Sequence, residues 1–562
     1  MNAATSASPR PFSPQLGLAA VLVGVGLLLP SSALVQFLRP DAGALLPSLL
    51  LGATLFRVGL VGLGVAVLVV GRLVRWTGAT EAAAATATST AERVTLAVIL
   101  VAALALRLYR LDSGLWYDEI MTYVHYVNMP VGDIVTTFDS QNQHFLFSLL
   151  AHASVSLFGV SAWALRLPAA LFGVGSIWAV YALGREVGTA REGLLAAGLL
   201  TVSYQHIWFS QNARGYSGLL FWTLLSSWLL LRALRVGQPR LWLLYALAAA
   251  LGVYTHMTML FVLAGQFGLS MLAYWRRQER QPDLRQAIVL GFVPTGLLTL
   301  QLHALVLPQF VGGGFSEDST VEAWKHPLWT LLELAKGLQV GFAGGLAALA
   351  ALLVLGVGLA SFAREKPLLL GLLFVPAGLC AAVVIALGHH IWPRFFFFAL
   401  GFAALVVVRG AVRIGELTAR FLRRPPRQEA VFGVAVGVML AVVAAHSIPL
   451  VYGPKQDYEG ALAFIEANQR PGDAVVTVGL AGDPYQLFYH QSWEAVDSVA
   501  HLNQVRASAQ RTWLVYTLSV HAQSVYPEVM DRVEQEFKVV RRFDGTAGDG
   551  AIYVCLAENP PA

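Results

Sequence analysis

Asp118 and Glu119 stand side by side in "LWYDEIMTY", Leu115 to Tyr123, directly after an apolar run. Paired carboxylates can take a proton from a hydroxyl or amine. They can also open a helix, where an acid accepts backbone hydrogen bonds and complements the dipole. Further along, "FSQNARGYS" carries Gln211, Asn212, Arg214 and Tyr216, "YTHMT" carries His256, and "GHHIWPRFFFF" carries His389, His390 and Arg394. Each has an ordinary structural reading beside a chemical one. Arg214 at the end of an apolar run can snorkel to an interface, and His256 can cap a tight hairpin. Adjacent histidines on a helix diverge by about 100° and make a poor bidentate metal site. His144 precedes "HFLFSLLAHASVSLFGV", an amphipathic stretch expected to lie along a membrane surface. If these groups meet, a carboxylate base beside Arg and His suits transfer from a phosphate leaving group, whose developing charge the basic side chains stabilise.

What must position them is a membrane protein. The 562 residues are 56% apolar and 13% charged, with a mean hydropathy of +0.62, far from the soluble norm. Apolar runs long enough to cross fall at roughly 16–38, 47–71, 93–110, 162–184, 190–209, 216–235, 240–255, 257–275, 286–308, 337–362, 367–388, 393–410 and 430–452, about 13 helices. The first run breaks at Pro30 and continues with Ser31, Ser32 and Ala33, so it reads either as a retained helix or as a cleaved signal. "TGATEAAAATATSTAER" then reads as a low-complexity linker that sets two extra helices apart from the working core. The formal charge of +5 lies mostly in Arg beside apolar runs, which points to topology rather than nucleic acid. Two cysteines, Cys380 and Cys555, support neither a disulfide framework nor a zinc cluster.

Positive residues near span ends are retained on the cytoplasmic side. Arg72 and Arg75, Arg185 and Arg191, Arg232, Arg235 and Arg240, Arg276, Arg277, Arg280 and Arg285, Arg364 and Lys366, and the run from Arg409 to Arg427 occupy alternate loops, which are therefore predicted inside. The intervening loops, including "LWYDEIMTY" and the acidic "GGGFSEDSTVEAW", are predicted outside. That topology gathers Asp118, Glu119, Asp139, Asn142, His144, Arg214, Tyr216, His256 and Arg394 on the outer face. The chemistry expected there is transfer of a sugar from a polyprenyl phosphate whose tail lies between helices. From Lys455 onward, charge recurs every few residues. "DYEGALAFIEAN" and "YPEVMDRVEQEF" have helical spacing, while "DAVVTVGL", "RTWLVYTL" and "AIYVCL" read as strands. The domains expected are residues 1–92, two additional helices and the linker; 93–452, a transmembrane catalytic core with an outer loop at 111–161; and 453–562, an extracytoplasmic α/β domain.

"RLYRLDSGLWYDEIMTY", "FGVSAWALRLPAALFGVGSIWAVYALGREV" followed by "GLLAAGLLTVSYQHIWFSQNARGYS", "LGVYTHMTMLFVLAGQ" and "WPRFFFFAL", in that order, resemble the polytopic GT-C glycosyltransferases of family 39, the protein O-mannosyltransferase and aminoarabinose transferase type. The resemblance covers most of residues 93–452. It implies a GT-C fold and transfer of a hexosyl or pentosyl group from a polyprenyl-phosphate donor, with inversion, at the outer face of the plasma or inner membrane. The acceptor would be a lipid, glycan or protein, and nucleic acid has no part. The resemblance also implies that Asp118 deprotonates or orients the acceptor, with Glu119 its motif partner, that Arg214 and Arg394 bind the donor phosphate, and that Tyr117, His144, Asn212, Tyr216 and His256 bind substrate. Two positions depart from the family pattern. Asn212 replaces the Glu of Ser-Gln-Glu-Ala-Arg, and "QHFLF" stands where His-Pro-Pro often follows the first loop. Asn cannot act as a base and is a weaker metal ligand than a carboxylate, which counts against metal dependence, so no cofactor is assigned.

Two other readings compete. A transporter or flippase of a lipid-linked substrate would place ionisable groups near the midplane and show inverted repeats; here the groups collect at one face and no repeat is visible. A noncatalytic subunit with a GT-C-like fold gains support from Asn212, since fold does not guarantee activity.

Overall fold

The computed structural model describes residues 14–73, 88–276, 284, 287–311, 321–342 and 344–558. Arg75, most of the expected linker, Arg277, Arg280, Arg285 and the acidic 312–320 stretch lie outside the described residues. The chain is a polytopic helical membrane protein with a small C-terminal sheet domain at one end of the bundle. Among the described residues seven helices are long and apolar enough to cross a membrane, or eight if the pair Pro14–Leu28 and Ser31–Leu38 is one span. That pair bends by 92° at Pro30, whose ring removes a helical hydrogen bond.

Every apolar run read from the sequence falls on helix, but several are shorter or interrupted. Thr90–Leu108 is long yet carries Glu92, Arg93 and Arg107. The 190–209 run is two helices, Ala190–Val202 and Tyr204–Ser210, because the Ser203 side chain caps the second by accepting the His206 N–H. Buried Arg107 donates to the freed carbonyls of Leu200 and Thr201 and pairs with His206 Nδ1 at 2.5 Å, so the break leaves few orphaned groups. The helices Gly345–Glu365 and Leu400–Phe421 cross closely through Gly358 and Gly410, where an added Cβ would lie 1.9 Å from the carbonyls of Val406 and Val354. Small residues permit such an approach in membranes.

The two bundle ends differ in chemistry. One carries a network of Glu92, Arg185, Glu186, Glu192, Arg232, Arg235, Glu365, Arg409 and Arg413 at the starts and ends of helices. The other carries the short helix Tyr117–Thr122, the helices Val131–Thr136 and Phe145–Phe158, and the sheet domain. The N-terminal helices reach this second end. The carbonyl of Leu38 abuts Gly132, and Arg39 Nη1 donates to Thr137 Oγ1 at 2.6 Å.

The sheet has strand order β2-β1-β3-β5-β4, with β1 Asp473–Val478, β2 Glu494–Val496, β3 Arg511–Thr517, β4 Lys538–Phe543 and β5 Ile552–Glu558. The first three are parallel, and β5 is antiparallel to β3 and β4. Strands β2 and β4 were not legible: β2 is three residues long, and β4, "KVVRRF", lacks a buried alternation. One apolar core joins the two parts of the molecule. Ile120, Met121, Phe147 and Leu165 from the bundle end pack with Tyr458, Ile465, Tyr485, Trp493 and Trp513 of the sheet domain.

Candidate functional site

The helix Tyr117–Thr122 is only six residues long, so its orientation comes from what its side chains grip. Adjacent residues on a helix point about 100° apart, and here that angle separates two carboxylates completely. Asp118 points into a cavity of about 820 Å³, while Glu119 points away from it into the protein.

Asp118 Oδ2 lies 2.6 Å from Arg214 Nη1 and 3.0 Å from Arg394 Nη1. Arg214 follows the helix Tyr204–Ser210, and Arg394 lies in the 3₁₀ turn Pro393–Ala399. The two arginines thus share one oxygen of Asp118, which lies 276 positions from Arg394 in sequence. Asp118 Oδ1 has no hydrogen-bond partner among the described residues. Arg214 also lies over the Tyr216 ring at 5.6 Å, and Arg394 over Trp392 at 4.7 Å.

His144 and His256 stack at 4.6 Å, with Tyr216 4.8 Å from His256. Both line the cavity, and both Nε2 atoms are buried without a partner among the described residues. The Thr258 N–H donates to His256 Nδ1 at 3.2 Å, so the neutral ring carries its proton on Nε2. Burial, with Arg214 and Arg394 adding to it, holds His256 far below its ordinary value. Burial, His256 and the two arginines do the same for His144. Two neutral imidazoles therefore face the cavity beside two guanidiniums.

The cavity has a polar and an apolar wall. Tyr117, Asp118, Tyr126, Asp139, Asn142, His144, Arg214, Tyr216, His256, His389, His390 and Arg394 form the first. Leu260 and Phe261 of the helix Met259–Arg276 and Val383, Val384 and Leu387 at the end of Pro367–Ala386 form the second. Leu260, Val383 and Leu387 are also exposed on the bundle surface, so the apolar wall continues to where lipid would lie.

Two residues expected at the site are not brought to the cavity. The Glu119 carboxylate is wholly buried. Its Oε1 accepts Arg166 Nε at 2.7 Å and the Ala213 N–H at 2.7 Å, and its Oε2 accepts Arg166 Nη2 at 2.6 Å. Burial pushes this carboxyl up, but Arg166, Lys455 and the hydrogen bonds outweigh it and hold the group below the usual carboxylate range. A carboxylate so saturated holds structure: it fixes the backbone next to Arg214. Asn212 is likewise buried outside the cavity, its Oδ1 accepting Trp116 Nε1 at 3.1 Å. Gln211 Nε2 donates to the carbonyls of Arg107 and Tyr109.

Three residues the reading did not single out build this frame. Arg166 donates to Glu119 and to the carbonyls of Leu111, Ser113 and Gly114. An Arg inside "WALRLPAAL" was the available signal, because an ionisable residue within an apolar helix needs a partner. Lys455 Nζ donates to the Gln211 carbonyl at 2.6 Å and lies 3.9 Å from Glu119. Gln456 Oε1 accepts the Tyr117 N–H at 2.9 Å. Among the described residues no group of three or more His, Cys, Asp or Glu could hold a metal ion. Asp118, facing two cations, does not offer the donor set a divalent cation needs.

A family model described as dolichyl-phosphate-mannose-protein mannosyltransferase matches residues 142–300. That stretch contains His144, Arg166, Arg214, Tyr216 and His256, so the likeness to GT-C glycosyltransferases of this type holds over much of the site. No match emerged among curated proteins. Among solved structures, ArnT from Cupriavidus metallidurans bound to undecaprenyl phosphate is 14% identical, with 83% of this chain and 98% of that one covered at a TM-score of 0.43. The oligosaccharyltransferase AglB from Archaeoglobus fulgidus, in complex with an inhibitory peptide and a dolichol-phosphate, is 13% identical, with coverage of 82% and 74% and a TM-score of 0.44. The arabinosyltransferase EmbB from Mycobacterium smegmatis is 14% identical, with coverage of 78% and 46% and a TM-score of 0.41.

Proposed function

We propose that this chain is a membrane glycosyltransferase that moves a hexosyl or pentosyl group from a polyprenyl-phosphate donor to a lipid, glycan or protein acceptor, inverting the anomeric centre. The observation that carries the reading is Asp118 held between Arg214 and Arg394 at the junction of a polar and an apolar cavity wall. A polyprenyl tail fits the apolar wall and its phosphate fits the two guanidiniums. Each guanidinium has five N–H donors and can hold Asp118 and a phosphate oxygen together.

In this reading the acceptor hydroxyl bonds to Asp118 Oδ1. Its oxygen attacks the anomeric carbon from the side opposite the phosphate, and its proton passes to the carboxylate. The bond from the anomeric carbon to the phosphate oxygen breaks, and the electron pair leaves on the phosphate, where Arg214 and Arg394 stabilise it. His256 Nε2–H and Tyr216 orient the donor. Glu119 and Asn212 act indirectly, Glu119 by fixing the Ala213 amide and Asn212 by fixing Trp116. The site and the 453–562 domain lie on the extracytoplasmic side of the cell membrane, a placement supported by the Arg-rich opposite end. Residues 93–452 form the catalytic core, and the helices Ser31–Leu38 and Leu46–Leu73 pack against it.

The test is transfer by purified full-length protein in lipid nanodiscs from a panel of polyprenyl-phosphate sugars, wild type against Asp118→Asn. A drop of about 10² to 10⁴ in rate is expected, the range for loss of a positioned base. Full activity in the variant would overturn the assignment of Asp118.

A further inference from the structure

Asp483 belongs to the sheet domain, yet it lines the same cavity as Tyr117 and Asp118. It follows β1, one residue before the short π-helical turn Pro484–Phe488. An Asp in that position ordinarily caps the turn that follows, but here the side chain makes no capping hydrogen bond. Neither an ion pair nor a hydrogen bond engages its carboxylate among the described residues, and the residue is exposed.

Its position is fixed from both sides. The Tyr117 N–H donates to Gln456 Oε1, Gln456 Nε2 donates to Thr517 Oγ1 at 2.9 Å, and Thr517 Oγ1 donates to the Ala551 carbonyl at 3.0 Å. This chain of bonds registers the carboxyl end of β3 against the backbone beside Asp118. On the other flank Phe488 meets Tyr123 edge-on at 5.8 Å, and Tyr485 is wholly buried in the shared core. Burial first, then the carboxylates of Asp483 and Asp118, raise the Tyr117 phenol above its ordinary value. The phenol therefore stays protonated, on a wall of the cavity that it shares with both acids.

The sheet topology points to the same place. With β1 between β2 and β3, the chain leaves β1 towards one edge of the sheet and β3 towards the other, and in parallel sheets ligands bind at such a point, outside the carboxyl ends of the strands. Asp483 sits on the loop leaving the carboxyl end of β1. The same cavity also holds the buried Nε2 atoms of His144 and His256, unpartnered among the described residues. Those imidazoles and the two arginines serve the phosphate side of the cavity. Asp483 supplies an acceptor of hydrogen bonds on the wall of the cavity that Asp118 also lines.

Resting on the glycosyltransferase reading, we propose that Asp483 is the acceptor-specificity residue of the site, binding a vicinal diol of a sugar acceptor while a neighbouring hydroxyl of that sugar meets Asp118. An ionised carboxylate has two oxygens and can take both hydroxyls of a diol at once. The rings of Tyr117, Tyr126 and Trp392, which line the cavity, offer apolar faces to the C–H side of a sugar. Asp483 takes no proton in the transfer and so alters acceptor binding rather than the chemical step.

The probes are methyl α-mannopyranoside, its 3-deoxy analogue, which has no vicinal diol, and a serine-containing peptide, each offered to full-length protein in nanodiscs. Saturation-transfer NMR reads binding without a donor. The diol-bearing glycoside should bind wild type at least about tenfold more tightly than the 3-deoxy analogue, since hydrogen bonds to a charged group are worth that much. Asp483→Asn should remove that preference. The control Glu466→Gln, on the exposed face of the helix Tyr458–Asn468, should retain it. With any donor that turns over, Asp483→Asn should raise the acceptor KM about tenfold, with the smaller effect on kcat. Equal binding of both glycosides by wild type, no binding of either, preference for the peptide, or an unchanged preference in Asp483→Asn would each overturn the proposal. Diol-selective binding lost in Asp483→Asn, in a protein that turns over no donor, would keep the subsite and sink the transferase reading. Donor turnover with an indifferent Asp483→Asn would do the reverse.

Discussion

Replacing Glu119 by Gln removes a charge and almost no volume, and the effect should be large although the residue never touches the cavity. In the folded protein Arg166 keeps its bonds to the carbonyls of Leu111, Ser113 and Gly114 but faces a neutral amide in a site closed to water. Breaking a buried pair from one side costs about 3–5 kcal/mol. Those surviving carbonyls place Glu119→Gln near the lower figure. Arg166→Met strands a buried carboxylate and frees three carbonyls, which places it near the upper one. In the double variant neither charge is stranded, so the two costs should fall short of adding by about 2 kcal/mol, within the range seen for contacting residues. Urea unfolding in nanodiscs, followed through the fluorescence of nearby Trp116 and Trp208, measures the cycle. The pH dependence carries a second signature. A carboxylate whose folded value is depressed contributes stability that is present above its unfolded value near 4.3 and is lost as pH falls through its folded value. Wild type should lose stability through that acidic window while Glu119→Gln loses less. Single variants that add to within about 0.5 kcal/mol, or a Glu119→Gln protein as stable as wild type, would refute the frame described for Arg214.

Lys455 offers a test at the other end of the pH scale. Burial first, then Arg166, lower it to about 7 from an ordinary 10.5, against the pull of Glu119. Between those values the unfolded chain binds a proton that the folded one does not, so stability should rise with pH across that window. Lys455→Met should flatten the slope, and equal slopes would count against a neutral lysine at the junction. At the helix crossing, Gly410→Ala should cost about 1–3 kcal/mol by forcing a methyl group against the Val354 carbonyl. Gly378→Ala, where a Cβ meets nothing within 4 Å, should leave thermal unfolding unchanged, and equal midpoints for the two would refute the close approach.

Much was legible along the chain because its signals are local. Apolar runs announce helices whatever their partners, since a bilayer requires every backbone group to be satisfied within the helix. The strands "DAVVTVGL" and "RTWLVYTL" and the turn before "AIYVCL" follow from composition and alternation. Asp118, Arg214, His256 and Arg394 could be named as candidates because polar residues at the ends of apolar runs are few. Their meeting could not be derived residue by residue, for Arg394 lies 276 positions from Asp118.

Where neighbouring residues diverge, only the tertiary structure decides. Asp118 and Glu119 are identical in kind as read from "YDEI", but the turn of a helix sends one into a cavity and the other against Arg166. Asn212 and Arg214 divide in the same way. The sheet domain reads as a separate α/β unit, yet its Tyr458, Tyr485 and Trp513 share a core with the bundle and its Asp483 reaches the cavity. A residue's type sets the chemistry it can perform. Which groups come within 3 Å of it depends on long-range packing, and the local pattern of a sequence carries no record of that packing.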